Sequence, residues 1–162
     1  MRDVVLIADS GPLIALSLIS KVAILRTLYR GVCVPSAVAD EIAGQGEFRQ
    51  GADLFTRESW IKIEAVPSPS LTLLPVFLGK GEVEVIQLGI IRSGSLLLID
   101  DYRARRAAEA LHLAATGTVG VLVRAKECGL VPAVVPLLRE MRDCGYYIGE
   151  AVVEMARIRA GE

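Results

Sequence analysis

The sequence is poor in the residues that most often carry chemistry. Its 162 positions hold one histidine, three cysteines, one tryptophan and 5% aromatic residues. Cys33, Cys128 and Cys144 stand far apart and form no Cys-x-x-Cys. This excludes a disulfide framework and a structural zinc site. Three thiols without a pattern fit a reducing cytoplasm, each read as a small buried apolar residue. His112 lies between Leu111 and Leu113, with no second histidine to share a metal and no hydrolase motif around it.

Charge of one sign is also lacking. Eighteen basic and nineteen acidic residues leave a formal net charge of −1. The total carries no footprint of a dedicated DNA binder, although a basic groove can sit inside a balanced sum. Fourteen of the eighteen basic residues are arginine, which suits planar recognition of phosphate or carboxylate; a GC-rich genome gives the same bias. No run of about 18 strongly apolar residues reads as a membrane span. Met1–Ser20 begins with Arg2 and an apolar run, but Asp3 and Asp9 interrupt it and no small-x-small cleavage site follows. The expectation is a cytoplasmic protein without a membrane segment.

Aliphatic residues are what is abundant. Hydrophobic residues make up 52% of the chain, which excludes disorder and a solvated rod. The length suits one domain over residues 1–162. Short apolar runs at Val4–Ala8, Val32–Val34 and Leu96–Ile99 read as buried strands. Ile61–Ala65 alternates as an edge strand does, and Ala114–Gly117 makes a short fifth. Helices are expected over Leu13–Ile19, Lys21–Arg30, Ala37–Ala43 (capped by Ser36), Ala52–Ser59, Gly81–Arg92, Tyr102–Leu111, Thr118–Cys128 and Pro132–Cys144. Residues 148–162 form a C-terminal helix and tail, with Ile148–Arg159 helical. Gly44–Gly51 is a polar loop; Val66–Gly79, with three prolines and no charge, is a loop or flap. Strand and helix alternate, so the fold class is α/β with a mainly parallel sheet and right-handed crossovers.

The chemistry lies in carboxylates. Asp9 directly follows the first strand, Glu41 lies in the helix after the second, and Glu82 and Glu84 begin a helix behind Gly79-Lys80-Gly81. Asp100 and Asp101 directly follow the Leu96–Ile99 strand. Carboxyl ends of parallel strands share one edge, where ligands bind, so Asp9 and the Asp100-Asp101 pair are expected to converge. Hard carboxylates without His or Cys suit Mg²⁺ or Mn²⁺, which would relieve their mutual repulsion. Each residue also has a plainer reading. Asp9 or Asp100 can be a helix N-cap, Glu41 a solvated helix residue, and Glu82 a complement to the helix dipole. Other Asp- and phosphate-based sites fit less well. Position 11, where a phosphatase carries its second Asp, is Gly, and neither Gly-x-Gly-x-x-Gly nor Gly-x-x-x-x-Gly-Lys-Ser/Thr occurs.

These segments in this order resemble a PIN domain. The resemblance rests on Val5–Ile7 with Asp9-Ser10-Gly11-Pro12-Leu13-Ile14, and on Val34–Val38 with Glu41-Ile42. It continues through Trp60-Ile61, Leu78–Ile86, Leu97–Asp101 with Arg105 and Ala108, and Thr116-Gly117-Thr118. It is nearest to a subfamily close to VapC-like toxins of toxin–antitoxin pairs. The resemblance implies a three-layer α/β/α sandwich and Mg²⁺- or Mn²⁺-dependent endoribonuclease activity. It assigns Asp9, Glu41, Glu82 and Asp101 as catalytic residues, with Asp9, Glu82, Asp100 and Asp101 toward metal. Ser10, Arg105 and Arg106 fall toward the RNA. Glu82 stands where other groups carry Asp, and Ile99 where they carry Thr, so a catalytically degenerate interaction module is the alternative. The implied partners are RNA, an antitoxin and a second copy of the chain. The Ile148–Arg159 helix, with Val152, Val153, Met155, Ala156 and Ile158, is a candidate contact surface or ordinary core.

Overall fold

The computed structural model describes residues 3–44, 53–67 and 77–162. Five parallel strands form the sheet: β1 Val5–Ala8, β2 Gly31–Pro35, β3 Ile61–Glu64, β4 Leu96–Leu98 and β5 Ala114–Thr116, in the order β3-β2-β1-β4-β5. Nine helices accompany them among the described residues. They are α1 Ser10–Leu18, α2 Ala23–Leu28, α3 Ser36–Gly44, α4 Leu54–Arg57, α5 Lys80–Ile91, α6 Tyr102–Ala110, α7 Thr118–Glu127, α8 Val135–Asp143 and α9 Glu150–Ala160. The architecture is the expected α/β/α sandwich.

Burial explains why the central strands are aliphatic. Leu6, Ile7 and Ala8 in β1 and Leu97 and Leu98 in β4 are fully buried, as strands covered on both faces must be. At the edge, β3 buries Ile61 and exposes Lys62 and Ile63, matching its alternating sequence. α3 and α5 pack on each other, and α5 also packs on β1, β2 and β4. α1 lies against α7 and α8, and α9 packs on both of the latter.

The sheet order fixes the site. β1 is flanked by β2 on one side and β4 on the other, so the chain changes winding direction at β1. At such a switch point the crossovers diverge and leave a crevice at the carboxyl ends. The Ala8 to Leu98 register, extended by the Asp9 N–H donating to the Leu98 carbonyl at 3.0 Å, brings Asp9 to the crevice beside the end of β4.

Several local expectations change. Ser36 is the first residue of α3 and not its cap. Its hydroxyl donates to the Glu64 carbonyl at 3.3 Å, while Glu84 Oε2 accepts the Ala37 N–H at 3.0 Å. A carboxylate from α5 thus replaces the local cap, and Glu84 faces α3. Of the expected Ala52–Ser59 helix, Ala52 lies outside the described residues and the rest holds the single turn α4. The Lys21–Arg30 and Pro132–Cys144 helices shorten to α2 and α8. The last helix begins at Glu150, because Gly149 is extended (φ −70°, ψ 152°). Cys33 is buried in the sheet, but Cys128 and Cys144 are exposed, each ending a helix; two of the three do not fill core. Most of the two loops read at Gly44–Gly51 and Val66–Gly79 lies outside the described residues. No described helix is long and apolar enough to cross a membrane.

Candidate active site

Asp9 is the centre of the acidic edge. It precedes α1 but makes no side-chain cap bond. Only 6% of its surface is exposed, and its Oδ1 has no hydrogen-bond partner. Ser17 Oγ, the Gln87 amide and Arg124 Nε share that lack among the described residues, but only the Asp9 atom belongs to a carboxylate. An unpartnered buried polar atom is costly, and burial favours the protonated form of the carboxyl. Burial pushes Asp9 up to about 7, against the pull of the Ser10 N–H; the charges of Glu82, Glu41 and Asp100 push the same way as burial.

Glu41 is not a solvated helix residue. Its Oε2 accepts from Ser10 Oγ at 3.0 Å, and its Oε1 accepts from the Gly81 N–H at 3.0 Å. This carboxylate ties the starts of α1 and α5 together. The close approach requires glycine: a Cβ at position 81 would stand 2.5 Å from Glu41 Oε1. Glu82 turns back to accept the Gly79 N–H at 2.8 Å, which satisfies one free donor at the start of α5. Partial burial raises its pKa; the Gly79 N–H opposes, and the charges of Asp101 and Glu41 add to the rise.

The aspartate pair divides its labour. Asp101 is the N-cap of α6, its Oδ1 accepting from the Ala104 N–H at 2.9 Å. Asp100 is committed on both oxygens. Oδ1 accepts from the Thr118 N–H at 2.7 Å; Oδ2 accepts from Thr118 Oγ1 at 2.6 Å and the Tyr146 hydroxyl at 3.3 Å. It thereby binds the end of β4 to the start of α7. Gly117 makes room for this, since a Cβ there would lie 2.8 Å from Asp100 Oδ1. Of the two arginines, Arg106 pairs with Glu109 on its own helix at 3.0 Å, both side chains well exposed. Arg105 is half-buried and has no ion pair among the described residues. Its Nη1 is 3.1 Å from the place a Gly117 Cβ would occupy.

Asp9 thus sits within electrostatic reach of Glu41, Glu82 and Asp100, and Glu82 within reach of Asp101. Among the described residues, no three His, Cys, Asp or Glu side chains gather closely enough to enclose one ion. A closed cage is not needed for Mg²⁺, which keeps several waters and takes one or two carboxylates. The orphaned Asp9 oxygen and the all-carboxylate donor set fit a hard divalent cation.

Tyr146 and Thr118 escape sequence reasoning as site residues, although Thr116-Gly117-Thr118 is part of the resemblance. No local pattern at Gly145-Tyr146-Tyr147 announces the contact with Asp100, which spans 46 residues. A family model described as a PIN domain matches residues 5–162. No curated protein matched the chain.

Proposed function

The chain belongs to the PIN domain family, a nuclease fold, and on that premise we propose that it is a divalent-metal-dependent endoribonuclease. The observation that carries this reading is the buried, unpartnered carboxylate oxygen of Asp9 at the switch point, with Glu41, Glu82 and Asp100 around it and Asp101 beside Glu82. Asp9 and Glu82 would hold Mg²⁺ or Mn²⁺, with the second Asp101 oxygen turned to the same task. Bound there, the cation would supply a water nucleophile at neutral pH and neutralise charge on the phosphodiester.

The remaining groups position and balance. Glu41 orients the Ser10 hydroxyl beside Asp9 and fixes the start of α5, which carries Glu82. Asp100 holds α7 against β4 and adds negative charge near Asp9. Arg105 lies at this edge to contact RNA phosphate, with Arg106 one residue beyond. The finer reading is a VapC-like toxin of the cytoplasm, restrained by an antitoxin and assembled as a homodimer. Its support is the exposed Ile158 on α9, which lies outside the cleft lined by Val152 and Met155, while Val153 and Ala156 are buried in the chain's own core.

The test is cleavage of single-stranded RNA with Mn²⁺ or Mg²⁺, comparing the unaltered chain with Asp9→Asn. The expected result is cleavage to 3′-hydroxyl and 5′-phosphate ends, stopped by chelation and by the substitution. Equal activity in both proteins would overturn the assignment. A metal-independent chain that binds RNA without cutting it would be the degenerate module.

A further inference from the structure

Beside the acidic edge lies a cleft of about 230 Å³ whose lining is mostly basic, aromatic and apolar. Asp100 is its one acid. Arg105 from α6 and Arg159 from α9 reach it, and neither guanidinium has an ion pair or hydrogen bond among the described residues. Val152 and Met155 on α9 give it an apolar wall. Tyr147 lines it with 91% of its surface exposed, an unusual position for a large aromatic ring. Two free guanidinium groups, an apolar wall and an open aromatic face are the parts that recognise an unpaired nucleotide. Arginine binds the phosphate, and the base stacks on the ring.

The cleft is continuous with the acidic edge. Asp100 lines it and also acts on Asp9 through its charge. Tyr146, another lining residue, donates to Asp100 at 3.3 Å, and its hydroxyl lies 3.3 Å from where a Gly11 Cβ would be, two residues after Asp9. Asp100 and Tyr146 thus border both the acidic edge and the cleft.

We propose that the cleft between α6, α7 and α9 is a subsite for one unpaired nucleotide of the RNA substrate, stacked on Tyr147 and held at its phosphate by Arg105 and Arg159. The assignment rests on the ribonuclease reading for the identity of the ligand, but not for its test. Continuity with the acidic edge and the excess of arginine favour RNA over a peptide. An acidic peptide would use the arginines but would gain nothing from a subsite leading to buried carboxylates.

The experiment measures binding without catalysis. A fluorescently labelled pool of random hexaribonucleotides is titrated, in excess EDTA, with the unaltered chain, Tyr147→Ala and Arg159→Ala, and read by anisotropy. Both side chains are exposed, so unchanged melting temperatures verify that the variants fold. The expected result is roughly a tenfold loss of affinity in each variant, the size of losing one stacked base or one phosphate contact. For Arg159→Ala, the salt dependence should also fall by about 0.7 in the log–log slope. Unchanged affinity in both variants would overturn the proposal, even if the chain cuts RNA. So would a chain that ignores the hexaribonucleotides but binds a labelled random hexapeptide pool through the same two residues. The ribonuclease reading fails separately, by absence of metal-dependent cleavage, and that result would leave the EDTA titration intact.

Discussion

Two aspartates leave adjacent strands at the same edge of the sheet, and the fold treats them oppositely. Asp100, after β4, has both oxygens occupied by Thr118 and Tyr146. Asp9, after β1, is buried with one oxygen unpartnered and its pKa raised to about 7. A satisfied carboxylate stabilises the native state through charge-assisted hydrogen bonds. An unsatisfied one weakens it, and is retained where something outside the chain completes it. On the proposed reading, the difference separates a carboxylate that holds the fold from one left open to a ligand, although sequence position alone makes them look alike.

Substitutions that exchange the two roles would break this contrast. Asp9→Asn is expected to reduce RNA cleavage by at least about 100-fold, since even outer partners of metal ligands cost 10–100-fold. It should leave the melting temperature unchanged or raised, because a charge that burial opposes is removed. Asp100→Ala is expected to do the reverse. It strands the Thr118 N–H and hydroxyl, so it should destabilise by about 2–3 kcal/mol in denaturant unfolding, with cleavage lowered mainly through loss of folded protein. If Asp100→Ala keeps its stability while Asp9→Asn loses it, the contrast is reversed.

The pH dependence of stability sharpens the same contrast. The folded pKa of Asp9 lies above its ordinary value of 3.8, so between about pH 4 and 7 the native state binds more protons than the unfolded chain. Its contribution is fully present below about pH 4 and is lost as pH rises to about 7, on the order of 4 kcal/mol in all. Chemical denaturation in EDTA should show this decline in the unaltered chain and not in Asp9→Asn. Mn²⁺ at pH 7 should restore stability to the former alone.

Smaller effects are expected from the supports. Gly81→Ala drives a methyl group into Glu41, and Ser10→Ala removes that carboxylate's other partner. Each is expected to lower cleavage about tenfold, read as kcat at saturating metal. Arg106→Ala should be smallest. Its pair with Glu109 is exposed and such pairs contribute about 0–1 kcal/mol, so melting temperature should barely move.

The sheet and its acidic edge were legible because both follow from short-range pattern. Buried aliphatic runs ending in Asp9 and in Asp100-Asp101 placed β1, β4 and their carboxyl ends. The alternation at Ile61–Glu64 placed an edge strand. What was not legible depends on contacts distant in sequence. Nothing near Ser36 says that Glu84, 47 residues beyond Ala37, caps its helix. Nothing near Asp100 says that Thr118 and Tyr146 will occupy it. Asp9 occupies the N-cap position of α1 but makes no side-chain cap bond, and the cap read at Asp100 falls to Asp101, because α6 starts directly after the acidic pair. Gly81 and Gly117 look like ordinary turn residues, and only the approach of Glu41 and Asp100 explains them.

The central claim is that Asp9 is left incomplete for a divalent cation. Crystals of the chain grown or soaked in Mn²⁺ test it through anomalous scattering at the manganese edge. The account predicts a peak beside Asp9, with Glu82 as a further ligand, and no peak in Asp9→Asn crystals. Manganese absent from Asp9, or present unchanged after the substitution, would contradict it.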